Sequence, residues 1–283
     1  MTSLNPNVMY HNNLNFAQEA MAQRPIKLPK SLKAERRGAV AIVTLARPEK
    51  RNALNDATVL GLETFFDTLP AGVKAVVLNA EGKHFSAGLD LSELKVLSTE
   101  DGIAHSRAWH AIFDRIEFGR VPVVTVMHGA VIGGGLELAC AAHIRVAEPS
   151  AYFALPEGQR GIFVGGGGSV RLPRLSGVAR MTDMMLTGRV YSATEGSSYG
   201  FSQYLTEDGG ALPKALELAE RVAANAPLTN FAVLQALPMI AEANPQTGLL
   251  MESLMATVAQ SDKEAKLRIR AFLDRKTAKV KPA

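Results

Sequence analysis

The sequence predicts an α/β fold with a helical C-terminal region. Three observations carry this. Apolar, β-branched runs come early in the chain, they alternate with stretches of helical apolar spacing, and the final third is patterned almost wholly for helix. The alternation implies a parallel or mixed sheet. No internal repeat is present.

Taken in order, residues 1–33 are polar and Asn-rich, and read as an extension with some helix around Phe16–Ala22. Gly38 to Leu45 forms the first strand. Pro48 to Asn55 is a loop, and Asp56 is placed to cap a helix carrying Val59, Leu62, Phe65, Phe66 and Leu69. Ala75–Asn79 is a buried strand, Glu81–Gly88 a loop with a helix after it, Gly102–Phe118 a helix, and Pro122–Met127 a further strand. Gly129–Gly135 turns into a helix over Gly134–Ala142. Ile144–Ala147 and Tyr152–Ala154 are short strands, and Gly165–Gly168 opens a helix to about Leu175. Residues 213–226, 228–243 and 247–275 carry helical patterns. The division expected is an N-terminal extension (1–33), an α/β core (34–210) and a helical region (211–283).

Composition narrows the function. The chain has 283 residues, 47% hydrophobic and 20% charged, with a net charge of +4. That charge is too mild to argue for nucleic acid, and suits small anionic ligands. Cys140 is the one cysteine, so no internal disulfide is possible. Residues 1–30 lack the apolar core of a signal peptide. The most apolar window, Val121 to Ile144, contains His128, Glu137, His143 and many glycines, a poor membrane span. The expectation is a cytoplasmic protein with no membrane or nucleic-acid partner. No His, Cys and carboxylate grouping has metal-ligand spacing, so no metal is expected. His105, His110 and His128 read as packing or surface residues. Ser86 and Ser169 lack the G-x-S-x-G elbow of a serine hydrolase.

Two carboxylates stand among apolar neighbours. Glu137 follows Gly133-Gly134-Gly135 and is flanked by Leu136, Leu138 and Ala139; Glu157 follows Tyr152-Phe153-Ala154-Leu155-Pro156. Burial raises a carboxyl pKa toward values suited to proton transfer. The three glycines lead from a strand into a helix whose first N–H groups have no internal acceptor, a place where an oxyanion can sit. Alone, they fit a tight strand-to-helix turn equally well, and the G-x-G-x-x-G dinucleotide spacing is absent. Lys83 to Ser92 forms a loop able to supply a second backbone donor; alone, it reads as a turn with Asp90 as a cap.

The combination is far more specific. Ala87-Gly88-Leu89-Asp90-Leu91, Ile132-Gly-Gly-Gly-Leu-Glu-Leu-Ala139, Pro156-Glu157 and Gly165–Gly168 resemble the crotonase superfamily in order and spacing. So do Pro48-Glu-Lys-Arg-Asn-Ala-Leu-Asn55, Arg171-Leu-Pro-Arg174, Leu186-Thr-Gly-Arg189 and Ala271-Phe-Leu-Asp-Arg-Lys276, so the resemblance runs from about Gly38 to Lys276. Enoyl-CoA hydratase is the nearest member, because both glutamate positions are filled. The resemblance implies a spiral of ββα units with a helical trimerisation region, assembled as a trimer or a dimer of trimers. It implies an oxyanion hole from the backbone N–H groups of Leu89 and Gly134, and acid–base residues Glu157 (proton donor) and Glu137 (water activation). It implies coenzyme A contacts at Arg51, Ala87, Asp90, Phe272 and Arg275, an acyl-CoA substrate, no separate cofactor, and a place in fatty acid metabolism. Isomerisation, hydrolysis or ring chemistry on a CoA thioester, or CoA-ester binding without turnover, are the other readings.

Departures from the family pattern concern the acyl pocket. Phe163-Val164 replaces a usual Ile-Pro. Ser197-Ser198-Tyr199-Gly200-Phe201-Ser202 replaces an Ala-rich helix end that forms a pocket wall. Arg275 stands where Lys is common.

Overall fold

The computed structural model describes residues 27–93, 98–274 and 276. The helix expected around Phe16–Ala22 lies outside these residues. The described chain divides into two units, with the boundary between Ala223 and Ala224.

The first unit is built on a six-stranded sheet. In chain order its strands are β1 (Leu32–Arg37), β2 (Val40–Leu45), β3 (Ala75–Ala80), β4 (Val123–Met127), β6 (Ile144–Ala147) and β9 (Tyr204–Leu205), and they lie side by side in that order. β1 and β2 form an antiparallel hairpin that pairs Arg37 with Val40, and the remaining pairs are parallel. A second, three-stranded sheet consists of β5 (Ala130–Ile132), β7 (Tyr152–Ala154) and β8 (Tyr191–Ser192).

Alternation along the central strands sends side chains to two cores. Val40, Ile42, Ala75, Val77, Val124, Val126 and Val146 face α7 (Ala211–Ala223), which meets them with Ala211, Ala215, Leu218 and Ala219. Ala41, Val43, Leu45, Val76 and Leu78 face the other way. There they join Val59, Leu62 and Phe65 of α1 (Asp56–Asp67) and Ile112, Phe113 and Ile116 of α2 (Thr99–Glu117). Strands buried on both faces read as continuous apolar runs, which made β2, β3 and β4 visible in the sequence.

The other helices of this unit are α3 (Gly134–Ala141), α4 (Gly168–Ser176), α5 (Val178–Thr187) and α6 (Ala193–Ser198). The second unit comprises α8 (Pro227–Phe231), a π turn at Ala232–Ala236, α9 (Leu237–Glu242), α10 (Pro245–Ser261) and α11 (Lys263–Leu273).

Several expectations need correction. The core begins before residue 34, because Leu32 and Lys33 belong to β1. β1 was invisible because five of its six residues are exposed and several are charged, as suits an edge strand. The core also runs past 210, because α7 belongs to the first unit. Asn55, not Asp56, caps α1: its Oδ1 accepts from Thr58 N at 3.0 Å. The single helix expected over 247–275 is broken at Asp262, whose Oδ2 accepts from the amides of Glu264 and Ala265 and starts α11. The pattern over 228–243 is interrupted by the π turn. Pro238 follows it, and proline lacks the N–H that an α-helical turn would use there.

The loop from Arg47 to Leu54 is held by one buried side chain. Asn52 Nδ2 donates to Glu81 O and His84 O, both at 2.8 Å, and its Oδ1 accepts from Arg47 N at 2.8 Å. Arg51 and Asn52 both take left-handed backbone conformations, with φ of 51° and 52°. Replacing Asn52 with Ala removes this partner from the half-buried carbonyls of Glu81 and His84 and from the amide of Arg47. Each lost partner costs about 1–3 kcal/mol. We therefore expect urea unfolding of Asn52→Ala to show a loss of about 3 kcal/mol or more, whereas Ala at exposed Lys50 should change stability by less than ~0.5 kcal/mol.

Candidate active site

Two backbone turns meet at the centre of the first unit. Along the segment from Phe85 to Asp90, Ser86 bridges β5, with Ser86 N donating to Ala130 O at 2.9 Å and Ile132 N to Ser86 O at 3.0 Å. Three residues on, Leu89 forms a parallel bridge with Leu54. Leu54 N donates to Gly88 O at 2.7 Å, and Asp90 N donates to Leu54 O at 2.8 Å. In such a bridge the middle residue turns its own N–H away from the partner. The Leu89 amide therefore faces the opposite side, and among the described residues it has no acceptor. Gly134 opens α3, so its N–H has no acceptor within the helix.

Glycine makes the approach possible. A Cβ on Gly88, whose φ is 84°, would lie 2.7 Å from Ile132 O and 3.1 Å from Gly134 N. A Cβ on Gly134 itself would lie 3.5 Å from Leu89 N. Gly133, with φ 53° and ψ −126°, has no room for a side chain because Glu157 Oε1 occupies that space.

The two glutamates differ in their surroundings. Glu137 is buried on the first turns of α3, and its Oε1 accepts from Gly166 N and Gly168 N, both at 2.8 Å. Burial pushes its pKa up, opposed by those two amides and by the charges of Arg171 and His110. Glu157 is buried after β7, and its Oε2 has no hydrogen-bond partner. Burial pushes its pKa up to about 7, and the charge of Glu137 adds to the rise against the pull of Arg160. Glu137, Glu157, Leu89 and Gly134 line one cavity of about 100 Å³.

The remaining walls include residues that sequence reasoning missed. His105, Ser106 and Trp109 of α2 line the cavity, as do Ile162 to Gly166. His105, expected to be surface or packing, stands at the cavity. His105 and Trp109 are four residues apart on a helix, a spacing that places both on one face. Ser106 Oγ donates to Gly165 O at 2.7 Å, tying α2 to the glycine-rich loop. The residues 197–202, expected as a pocket wall, are not among those lining the cavity; Phe201 is fully buried and packs edge-on against Phe153 and Tyr191.

The expected coenzyme A contacts are placed as follows. Arg51 is exposed. Ala87 N already donates to Arg51 O at 2.9 Å. Asp90 is buried, and its carboxylate accepts from Arg47 Nη2 at 2.9 Å and from Ser92 Oγ at 2.6 Å. That carboxylate braces the loop. Phe272 is exposed on α11, and Arg275 lies outside the described residues. Among the described residues no grouping of His, Cys, Asp and Glu could hold a metal ion, and no helix is long and apolar enough to cross a membrane.

A family model described as enoyl-CoA hydratase/isomerase matches residues 35–282. The chain is 31% identical over 245 residues to the Short-chain-enoyl-CoA hydratase of Clostridium acetobutylicum, covering 86% of this chain and 94% of that protein. A solved structure from Rhodopseudomonas palustris, provisionally named an enoyl-CoA hydratase, is 68% identical with a TM-score of 0.87, covering 91% of this chain and all of that one. The enoyl-CoA hydratase structure from Bacillus anthracis is 28% identical with a TM-score of 0.81, covering 87% and 96%.

The Glu157 environment has a consequence for stability. Below its ordinary value of 4.5, the carboxyl is protonated in both folded and unfolded chains. Between there and about 7 the unfolded chain releases the proton while the folded chain retains it, so stability falls as pH rises through this window. Glu157→Gln cannot titrate. Urea unfolding from pH 4.5 to pH 8 should show the Gln variant gaining on the parent by roughly 1–2 kcal/mol, allowing for partial solvent screening. A constant difference across that range would show that Glu157 has an ordinary pKa.

Proposed function

This chain belongs to the enoyl-CoA hydratase/isomerase family of the crotonase superfamily, whose chemistry is carried out on coenzyme A thioesters, and we propose that it hydrates a 2-enoyl-CoA to a 3-hydroxyacyl-CoA, a lyase reaction. The observation that carries this reading is the pair of buried glutamates facing one cavity with two unpaired amides.

The thioester oxygen accepts hydrogen bonds from Leu89 N–H and Gly134 N–H. Both amides are held by the backbone before substrate arrives, and a preorganised donor of this kind is worth about 3–4 kcal/mol in the transition state. They draw electron density from C3 and stabilise the enolate that forms when a nucleophile adds there. Glu137 takes a proton from water as the water oxygen bonds to C3. Glu157 delivers a proton to C2. Solvent then returns the proton from Glu137 to Glu157, so one water is consumed overall.

The environments support this division. Two amides on Oε1 favour the ionised form of Glu137 needed in a base. Glu157, with its Oε2 unpartnered and its pKa pushed up to about 7, keeps a proton available near neutral pH. A double-bond isomerase needs one proton-shuttling carboxylate at this position; a second, fixed by its own amides, fits activation of water.

For the coenzyme portion, exposed Arg51 is the proposed phosphate contact. Phe272 and Arg275 are proposed to reach a coenzyme bound by another copy in a trimer or dimer of trimers. Exposed leucines on α10 (Leu249, Leu250, Leu254) supply apolar surface for such an assembly. Ala87 and Asp90 are proposed to shape the loop around the coenzyme.

Crotonyl-CoA should lose its conjugated-thioester absorbance when mixed with the protein. Glu157→Gln should lower kcat by about 10²–10⁴-fold with KM little changed, and Glu137→Gln should also lower it. Binding of CoA esters without turnover of any enoyl thioester would end the hydratase reading, as would near-normal rates in both Gln variants.

A further inference from the structure

One cluster at the cavity is not used by the reaction above. Asp56 Oδ1, in the first turn of α1, accepts from two rings on successive turns of α2: His105 Nε2 at 2.7 Å and Trp109 Nε1 at 3.2 Å. The rings lie against each other, with centroids 5.6 Å apart and planes at 44°. Both line the cavity. Trp109 also borders the proposed oxyanion site: a Cβ built on Gly134 would lie 3.5 Å from Trp109 Cζ3.

Hydrogen bonds to a carboxylate are stronger than neutral ones. Here a single oxygen restrains both an indole and an imidazole, so neither ring turns without breaking its bond. Asp56 itself is 62% exposed, so it contributes little apolar burial to the core. The cavity they bound holds about 100 Å³, less than the ~150 Å³ in which a benzene ring binds. Leu89, Ile162 and Phe163 supply the apolar walls. Such a space takes a few carbons, and a flat indole favours a conjugated, planar group.

We propose that Asp56 is a specificity-determining positioning residue: by fixing His105 and Trp109 it restricts the site to a short, planar acyl group. The proposal rests on the reading of this cavity as the acyl-thioester site. When the clamp is lost, the rings reorient and longer chains enter.

Trp109 is the only tryptophan of the chain, so intrinsic fluorescence reports on this wall. The test compares the parent, Asp56→Ala and Asp56→Asn. Affinities for butyryl-CoA and decanoyl-CoA, both saturated and inert to hydration, are read from Trp109 quenching; kcat/KM is measured for crotonyl-CoA and 2-decenoyl-CoA. The parent should prefer the short thioester by about tenfold or more. Asp56→Ala should shift Trp109 emission and shrink that preference at least fivefold, and Asp56→Asn, which keeps an acceptor oxygen, should restore most of both. An Ala variant with unchanged emission and preference overturns the proposal, as does an Asn variant as impaired as Ala. If the saturated thioesters respond as expected but no enoyl thioester is turned over, the hydratase reading fails and the clamp stands. If enoyl thioesters are hydrated with a flat chain-length profile, the clamp fails and the hydratase reading stands.

Discussion

The site depends on the close approach of two backbone turns. The segment carrying Leu89 is pinned on one side to β5 through Ser86 and on the other to Leu54. The second turn enters α3 through Gly133. These turns touch only because Gly88 has no side chain where Ile132 O and Gly134 N lie. An amide free at a helix start is common. An amide freed by a bridge, on a residue lining the same cavity, requires that both segments be over-determined elsewhere, and here each is held by hydrogen bonds on flanking residues. The donors are thus fixed by strand pairing and helix geometry, with no flexible side chain involved.

The same backbone economy governs the glutamates. Gly133 leaves the space that Glu157 Oε1 occupies, so one glycine serves both the turn and the placement of that carboxyl group. Glu137 projects from the first turns of α3 toward the amides of Gly166 and Gly168. Two carboxylates share one cavity yet meet different hydrogen-bonding surroundings. One has an oxygen bound by two donors, and the other has an oxygen with none. For Glu137 the two amides oppose the burial that raises its pKa, while for Glu157 burial and the neighbouring Glu137 charge hold the pKa at about 7.

Much of this was legible in the sequence. Doubly buried strands announce themselves as runs such as Ala-Val-Val-Leu, and glycine clusters before Glu137 and after Glu157 mark backbone that approaches something closely. Other parts carry no local signal. β1 is a charged edge strand whose pairing is set by its neighbour β2, and β5 is three residues long inside a turn. Asp90 reads as a cap in sequence, but its second partner, Arg47, is forty-three positions away. His105 and Trp109 in the cavity wall both bond Asp56, forty-nine and fifty-three positions distant. Contacts of that span follow from how α1 and α2 pack, which periodicity along either helix does not specify.

Arg171 shows how far such support extends. The sequence marks it only as part of Arg171-Leu-Pro-Arg174. In the structure it is buried on α4, with Nε donating to Glu117 Oε2 at 2.5 Å and Nη2 to Asp114 Oδ1 at 2.6 Å, both on α2. Its Nη1 donates to Gly166 O at 3.0 Å. The peptide unit on the other side of Gly166 donates to Glu137 Oε1. A buried guanidinium is tolerated when its charge is paired and its donors are used. Here the pairing with α2 anchors α4, and the remaining donor anchors the loop that orients Glu137. The ion pairs therefore act on the site through geometry: they help fix where Gly166 sits, and Gly166 N helps hold Glu137 Oε1.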